Sequence, residues 1–292
     1  MTVATAHDGR GPGTSHSADA AARALADVQR NLRRDARLLT RFFEAPPVSR
    51  ALEHARAQLV ASTSLDARLR KAAEWFLDNY YLIRRVARQV EAELPRGFVR
   101  HLPQLADGPD RGTARVEALA RALVAGSDLT LGFSELRRFL DAYQEVSPLT
   151  IAELWALPTM LRAATLGHLL SFLDALGVPF DERDRRAFPP KVTQRSAGSP
   201  PAFDAGVGVE RAVHALRALD TMDWKEFFEQ SNRVEAILRT DPAQLYSRME
   251  FATCDRYRKV VEVLAWATGA VSYTHLRAHE TDSYLVCRLL LE

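Results

Sequence analysis

The sequence is 292 residues long, is 47% hydrophobic, and carries 39 basic against 37 acidic residues, for a net charge of +2. This length and hydrophobic content suffice for one large globular domain or two small ones. The near balance of charge argues against a nucleic-acid-binding protein. The cysteines, Cys254 and Cys287, give neither a disulfide framework nor metal-ligand spacing, as expected in a reducing compartment.

The N-terminal residues 1–17 predict a disordered tail, because they are rich in Gly, Ser, Thr and His and lack the apolar core of a secretory signal. No stretch qualifies as a membrane span. The most apolar stretch, residues 149–178, is interrupted by charged and polar side chains and reads as a buried or amphipathic helix.

Helical periodicity dominates residues 18–176. Residues 18–44 and 48–60 predict two helices separated by a pair of prolines, and a long helix that ends at Pro95 should follow. The wide apolar stripe of that long helix predicts contacts on more than one side. A shorter helix over residues 114–125 should end at Gly126, and Ser134 is predicted to cap the next one.

The stretch at residues 142–162, AYQEVSPLTIAELWALPTMLR, predicts the centre of the helical core. Pro148 ends one helix, and Thr150 and Glu153 have capping-box spacing for the start of the next. Apolar residues then recur at three- and four-residue steps, while Pro158 is predicted to kink the helix.

Residues 177–206 contain five prolines and three glycines and predict a linker or surface excursion. Beyond it, residues 209–219 and 224–238 predict a helical hairpin, and Asp241 with Pro242 signals a further helix start. No alternating strand pattern appears. We therefore expect an all-α bundle of roughly eight to ten helices, with residues 207–270 packed on residues 18–176.

The final residues, 271–292, have a different character. His275 and His279 stand four apart, as in helical metal sites, but VSYTHLRAHET and YLVCRLLLE resemble a translated sequencing-library adapter. We expect that the reading frame left its gene at about Ala270, that the chain is a fragment, and that these histidines and Cys287 have no function.

Segments in five places carry a family resemblance: AEWFLDNYYLI (73–83), LPRGFVRHLPQLADG (94–108), AYQEVSPLTIAELWALPTMLR (142–162), LDTMDWKEFFEQ (219–230) and DPAQLYSRMEFATCDRYRKVVE (241–262). They resemble, in order, the N-terminal region of the cyclic β-1,2-glucan synthases, large bacterial membrane enzymes. Glu250 and Cys254 depart from that family's pattern, which has aspartate and arginine there, and residues 177–206 diverge.

The resemblance implies a parent enzyme that uses UDP-glucose to build β-1,2-glucan attached to the protein itself and then closes it into a ring. In that family the transferase, its membrane helices and a phosphorylase-like domain follow this region. This chain has no paired-aspartate element for a metal and diphosphate and no glycine-rich phosphate loop. We therefore expect no catalytic residue, cofactor or metal in it.

Three functional hypotheses follow. The first is a non-catalytic scaffold or regulatory region on the cytoplasmic face of the inner membrane, whose partner is the remainder of the synthase. The second is an independent module that binds a partner protein or a glucan through aromatic grooves. Its candidate surface consists of Trp75, Tyr81, Trp155, Trp224 and Arg256. Aromatic residues at this spacing lie in a hydrophobic core more often than they form a binding surface.

The third hypothesis is a carboxylate pair for glycoside hydrolysis, Asp255 with Glu262 or Glu74 with Asp78. It is the weakest, because neighbours on one helix more often form solvated faces or ion pairs.

Overall fold

The computed structural model describes residues 12–33, 48–62, 66–94, 102–188, 204–240 and 245–268. These residues form twelve α-helices and two short strands, which confirms the predicted all-α class. The helices are α1 Pro12–Val28, α2 Val48–Ala61, α3 Ala67–Asp78, α4 Tyr80–Glu93, α5 Arg115–Gly126, α6 Phe133–Val146, α7 Ile151–Ala175, α8 Glu182–Arg185, α9 Ala205–Thr221, α10 Trp224–Ser231, α11 Arg233–Leu238 and α12 Phe251–Thr268.

Helix α7 lies at the centre of the bundle, with α2, α4, α5, α9 and α10 packed around it. Its start is the predicted capping box: the backbone NH of Glu153 donates to Thr150 Oγ1 at 3.2 Å, and the NH of Thr150 donates to Glu153 Oε2 at 2.9 Å. Apolar residues are buried all round this helix, as expected for an element enclosed by others. Pro158 lies inside α7, and a bend there stays a prediction.

The prediction of one long helix that ends at Pro95 is wrong in one respect. The helix is interrupted at Asn79, which separates α3 from α4. The Asn79 side chain donates to the backbone carbonyl of Trp75 at 2.8 Å and accepts from Arg217 of α9 at 2.5 Å. An asparagine amide that bonds a nearby backbone group competes with the helix. The bond from Arg217 holds the side chain in this position.

Several other boundaries differ from the predicted ones. Helix α1 begins at Pro12, inside the predicted tail, since proline suits the first turn of a helix. It ends at Val28, and the chain then pairs Leu32 and Arg33 antiparallel with the strand Gln104–Leu105. Gly132 occupies the N-cap of α6, so the predicted cap Ser134 lies in the first turn instead.

The C-terminal half shows two further differences. The short helix α8 lies within the predicted linker. The predicted helix over residues 224–238 is divided at Asn232, whose side chain accepts from the backbone NH of Val234 at 2.9 Å and caps α11. The Asp241 cap and residues 271–292 lie outside the described residues.

Helix α9 runs alongside α3 and α4, and a ladder of side-chain contacts joins them. Its pairs are Arg68–Asp204 (4.0 Å), Lys71–Glu210 (3.2 Å), Trp75–His214 (ring centroids 5.2 Å apart), Asn79–Arg217 (2.5 Å) and Arg85–Asp220 (2.6 Å). Residue numbers rise together on both sides, so the elements run parallel and α9 rests against this part of the bundle.

Candidate interaction surface

The five side chains of the predicted surface do not form one site. Trp75 is half-buried against His214, Tyr81 is 82% exposed on α4, and Arg256 is exposed on α12. The remaining two, Trp155 of α7 and Trp224 of α10, lie along the same helix–helix seam.

Aromatic rings of α7 and α10 line the seam between these helices, and arginines of α7 and α12 contact the rings of α10. The rings of Trp155 and Phe228 lie 4.5 Å apart at 31°, and the guanidinium of Arg258 lies 5.2 Å from the Phe228 ring centroid. One turn earlier on α10, the guanidinium of Arg162 lies 5.6 Å from the Trp224 ring centroid. Such contacts are attractive because the ring face is electron-rich. Trp155 remains 42% exposed at the outer edge of this seam.

Arg258 is fully buried and belongs to a polar cluster centred on Glu235. Glu235 Oε2 accepts from Arg258 Nη1 at 3.0 Å and from the Tyr246 hydroxyl at 2.7 Å, and Glu235 Oε1 accepts from Arg239 Nε at 2.8 Å. Burial, and then the hydrogen bond to Glu235, raise the pKa of Tyr246 above its usual range. The cluster fixes α12 to α11 beneath the exposed Trp155 edge.

The capping-box spacing predicts one role for Glu153, and no sequence pattern points to Arg115. In the structure Arg115, at the first position of α5, is buried and forms a two-pronged ion pair with Glu153, at 2.7 Å from Nε and 2.5 Å from Nη2. It also donates to Ser147 Oγ at 2.7 Å and to the carbonyl of Pro148 at 2.9 Å. Burial opposes the charge of Arg115, but Glu153 raises the pKa of Arg115 above its usual value.

In both clusters the buried arginine is therefore paired with a buried glutamate of the same chain. Glu74 and Asp78 are both exposed on α3, and Asp255 is half-buried while the Glu262 side chain lies outside the described set. Among the described residues, no group of three or more metal-ligating side chains is placed to hold an ion. Within the same residues, no helix has the length and apolar character needed to span a membrane.

The chain is similar to a curated bacterial enzyme. It is 25% identical, over 271 aligned positions, to the cyclic beta-(1,2)-glucan synthase NdvB of Rhizobium meliloti (strain 1021). The alignment covers 72% of this chain and 9% of the relative, so the chain spans a small part of that enzyme's length. No protein-family profile matches the chain. The similarity confirms the relation to a cyclic glucan synthase that the five segments predict.

Three of those five segments meet at the α7–α10 seam. Trp155 comes from the third, Phe228 from the fourth, and Tyr246 and Arg258 from the fifth. Segments that are distant in sequence therefore supply neighbouring side chains at one surface. We call the exposed edge of Trp155, together with Phe228 and Arg258 buried behind it, the seam surface.

Proposed function

We propose that this chain is a non-catalytic helical region of a cyclic β-1,2-glucan synthase, which acts as a scaffold or regulatory module for the rest of the enzyme on the cytoplasmic side of the membrane. The parent enzyme would polymerise glucose from UDP-glucose and close the product into a ring. The remainder of the synthase, with its transferase and membrane parts, is the proposed partner.

The convergence of the resembling segments at the seam surface carries this proposal. The buried charges beneath it are paired, as in a rigid support, while Trp155 keeps 42% of its surface exposed. Partly exposed tryptophans backed by packed aromatics are favoured at protein interfaces. A region of this kind contributes a docking surface and leaves the chemistry to other parts of the enzyme.

The first experiment tests whether the chain is non-catalytic. The purified chain is incubated with UDP-[¹⁴C]glucose and Mg²⁺, alongside membranes that contain the Rhizobium meliloti synthase as a positive control. We expect label in acid-precipitable protein and soluble glucan only in the control. Incorporation by the purified chain would contradict the proposal.

The second experiment tests the scaffold role within a complete enzyme. Deletion of the matching region from the Rhizobium meliloti synthase should sharply lower glucan formation in membranes that contain equal amounts of the protein. Replacement by this chain should restore part of the activity, and Trp155→Ala in the replacement should reduce that recovery. Unchanged glucan formation after the deletion would show that the region is dispensable.

The alternative function, an independent module that binds a glucan, is favoured by one observation. The rings of Tyr81 and Trp155 are exposed, so both are accessible for stacking on a sugar ring. Titration with β-1,2-glucan, followed by tryptophan fluorescence, tests it. A saturable change that Trp155→Leu removes would favour this function over the scaffold.

A further inference from the structure

The outer face of α4 carries arginines that few acidic side chains neutralise. From Tyr80 to Val90 the sequence contains Arg84, Arg85 and Arg88 and no acidic residue. All three arginines are exposed, and Arg85 pairs with Asp220 of α9 at 2.6 Å. Within the described part of the chain, Arg84 and Arg88 take part in no hydrogen bond or ion pair.

A fourth arginine joins this face from α2. The guanidinium of Arg56 lies 5.1 Å from the centroid of the Tyr80 ring. Burial, and then Glu53, raise the pKa of Tyr80, whereas Arg56, Arg84 and Arg88 all lower it. Tyr80, Arg84 and Arg88 follow one another at four-residue steps along one side of α4, and Arg56 lies against the Tyr80 ring, so the three guanidinium groups belong to one face.

The nearby acidic side chains do not cancel this charge. Glu91 lies one turn beyond Arg88 on α4 and accepts from the backbone NH of Ser49 at 3.1 Å, and Glu93 accepts from Thr159 Oγ1 of α7 at 2.6 Å. Glu53 is the acid that acts on Tyr80. Glu53 and Glu91 against Arg56, Arg84 and Arg88 leave one more positive than negative charge on this face.

Tyr81 projects from the same helix with 82% of its surface exposed, the most exposed large apolar side chain among the described residues. Tyrosine rings of this kind settle at the boundary between water and lipid head groups, where the ring is shielded and the hydroxyl stays hydrated. Guanidinium groups form two-pronged hydrogen bonds with phosphate. Both features suit a surface that is dense in phosphate and partly apolar.

We propose that Arg56, Tyr81, Arg84 and Arg88 form a face that binds anionic phospholipid head groups, with α4 lying along the bilayer surface. Arg84 and Arg88 are one helical turn apart, a rise of about 6 Å, so they reach along a surface and do not converge on a point. The head groups of a bilayer present phosphates that two arginines so spaced can both contact, and no specific partner sequence is required. The inference goes beyond the scaffold role and stands on charge and exposure alone.

The test is co-sedimentation of the purified full chain with sucrose-loaded vesicles, of phosphatidylcholine alone or with 30% phosphatidylglycerol. We expect binding only to the anionic vesicles. Each arginine near such a surface contributes about a fivefold change in partitioning, so Arg84→Gln with Arg88→Gln should weaken binding on the order of 25-fold. Tyr81→Ala should weaken it further, and added salt should reduce it.

The matched control is Arg183→Gln with Arg186→Gln, which removes the same charge from two exposed arginines, one within α8 and one at its C-cap, and should leave binding unchanged. Circular dichroism should show the wild-type helix content for both double variants, since all four side chains are exposed. Equal loss in the two double variants, or binding to neutral vesicles, would overturn the proposal. Absence of vesicle binding would also overturn it. If polyglutamate competes as well as anionic vesicles at equal charge, the partner of this face is an acidic protein and not a lipid.

Discussion

Two buried arginines hold this molecule together in different ways. Arg115 and Arg258 are 2% and 0% exposed, and each faces a buried glutamate, Glu153 or Glu235. Arg115 donates to both carboxylate oxygens of Glu153, and its hydrogen-bond partners lie 32 to 38 residues further along the chain. Arg258 donates through Nη1 to Glu235, which lies 23 residues before it and also accepts from Tyr246 and Arg239.

The difference separates global from local stability. The Arg115 pair joins α5 to the start of the central helix α7 and to the Ser147–Pro148 turn, so its loss disturbs the core of the bundle. The Arg258 pair joins α12, the last described helix, to α11, and Arg258 also contacts the Phe228 ring of the seam surface. Its loss should release that end of the chain while the rest stays folded.

The largest expected effect comes from Glu153→Gln. The substitution leaves the buried Arg115 without its counter-charge, which costs about 3 to 5 kcal/mol of unfolding free energy. Urea unfolding followed by circular dichroism measures the loss. The control Glu145→Gln removes a carboxylate from the exposed pair with Arg23 and should change stability little.

A double substitution checks the cause of that effect. Arg115→Met with Glu153→Met removes both charges and should recover part of the stability lost in Glu153→Gln, since two apolar side chains leave no unpaired ion. A double variant that is less stable than Glu153→Gln would show that Glu153 acts mainly through the cap of α7.

The second prediction concerns Arg258→Met, with an expected cost of about 1 to 3 kcal/mol. The cost is smaller because Glu235 keeps its bonds from Tyr246 and Arg239. Hydrogen exchange followed by mass spectrometry should show faster exchange in α12 and unchanged protection in α5 and α7. If α5, α7 and α12 all lose protection equally, Arg258 stabilises the whole bundle as Arg115 does, and the two arginines do not differ in the extent of structure that they stabilise.

Sequence reasoning found the features that neighbouring residues determine. Thr150 and Glu153 are three positions apart, so their capping box could be predicted from spacing alone. The pairs Arg115–Glu153 and Asn79–Arg217 join residues 38 and 138 positions apart. No local pattern indicates which distant side chain meets a buried arginine or an asparagine within a helix.

The contacts of the seam surface also join residues that are distant in sequence, so no local pattern predicts them. Trp155 and Trp224 were predicted as candidate surface residues by residue type, but their stacking partners, Phe228 and Arg162, depend on how α10 lies against α7. The resemblance identified the segments that contribute to the surface. Their meeting at one place required the three-dimensional packing.

The third prediction tests how far the cap supports the Arg115 pair. Thr150→Ala removes the acceptor for the Glu153 backbone NH and should cost about 1 kcal/mol, whereas Thr150→Ser keeps the hydroxyl and most of the stability. Thermal unfolding of the three proteins at one pH measures the difference. A loss as large as that of Glu153→Gln would mean that the cap, and not the charge pair, positions Glu153.

The smallest expected effect is an alkaline loss of stability, because two tyrosines are buried: Tyr246 bonds Glu235, and Tyr143 acts electrostatically on Arg115. Burial raises the pKa of Tyr143 and of Tyr246 above the ordinary value of about 10, so folding favours the neutral phenol. This contribution is fully present below about pH 10 and is lost as the pH rises above it, since the unfolded chain then gives up these protons first. Tyr143→Phe should flatten the fall in unfolding free energy between about pH 9.5 and 11.

Tyr246→Phe should flatten the same fall, but it also removes the hydrogen bond to Glu235 and should lower stability at neutral pH by about 1 kcal/mol. Tyr143 donates to the neutral amide of Gln29 at 2.9 Å, so Tyr143→Phe should cost less at neutral pH. The two variants then separate a buried phenol that bonds a charged group from one that bonds a neutral group. Unchanged slopes in both variants would show that neither tyrosine contributes to the alkaline transition.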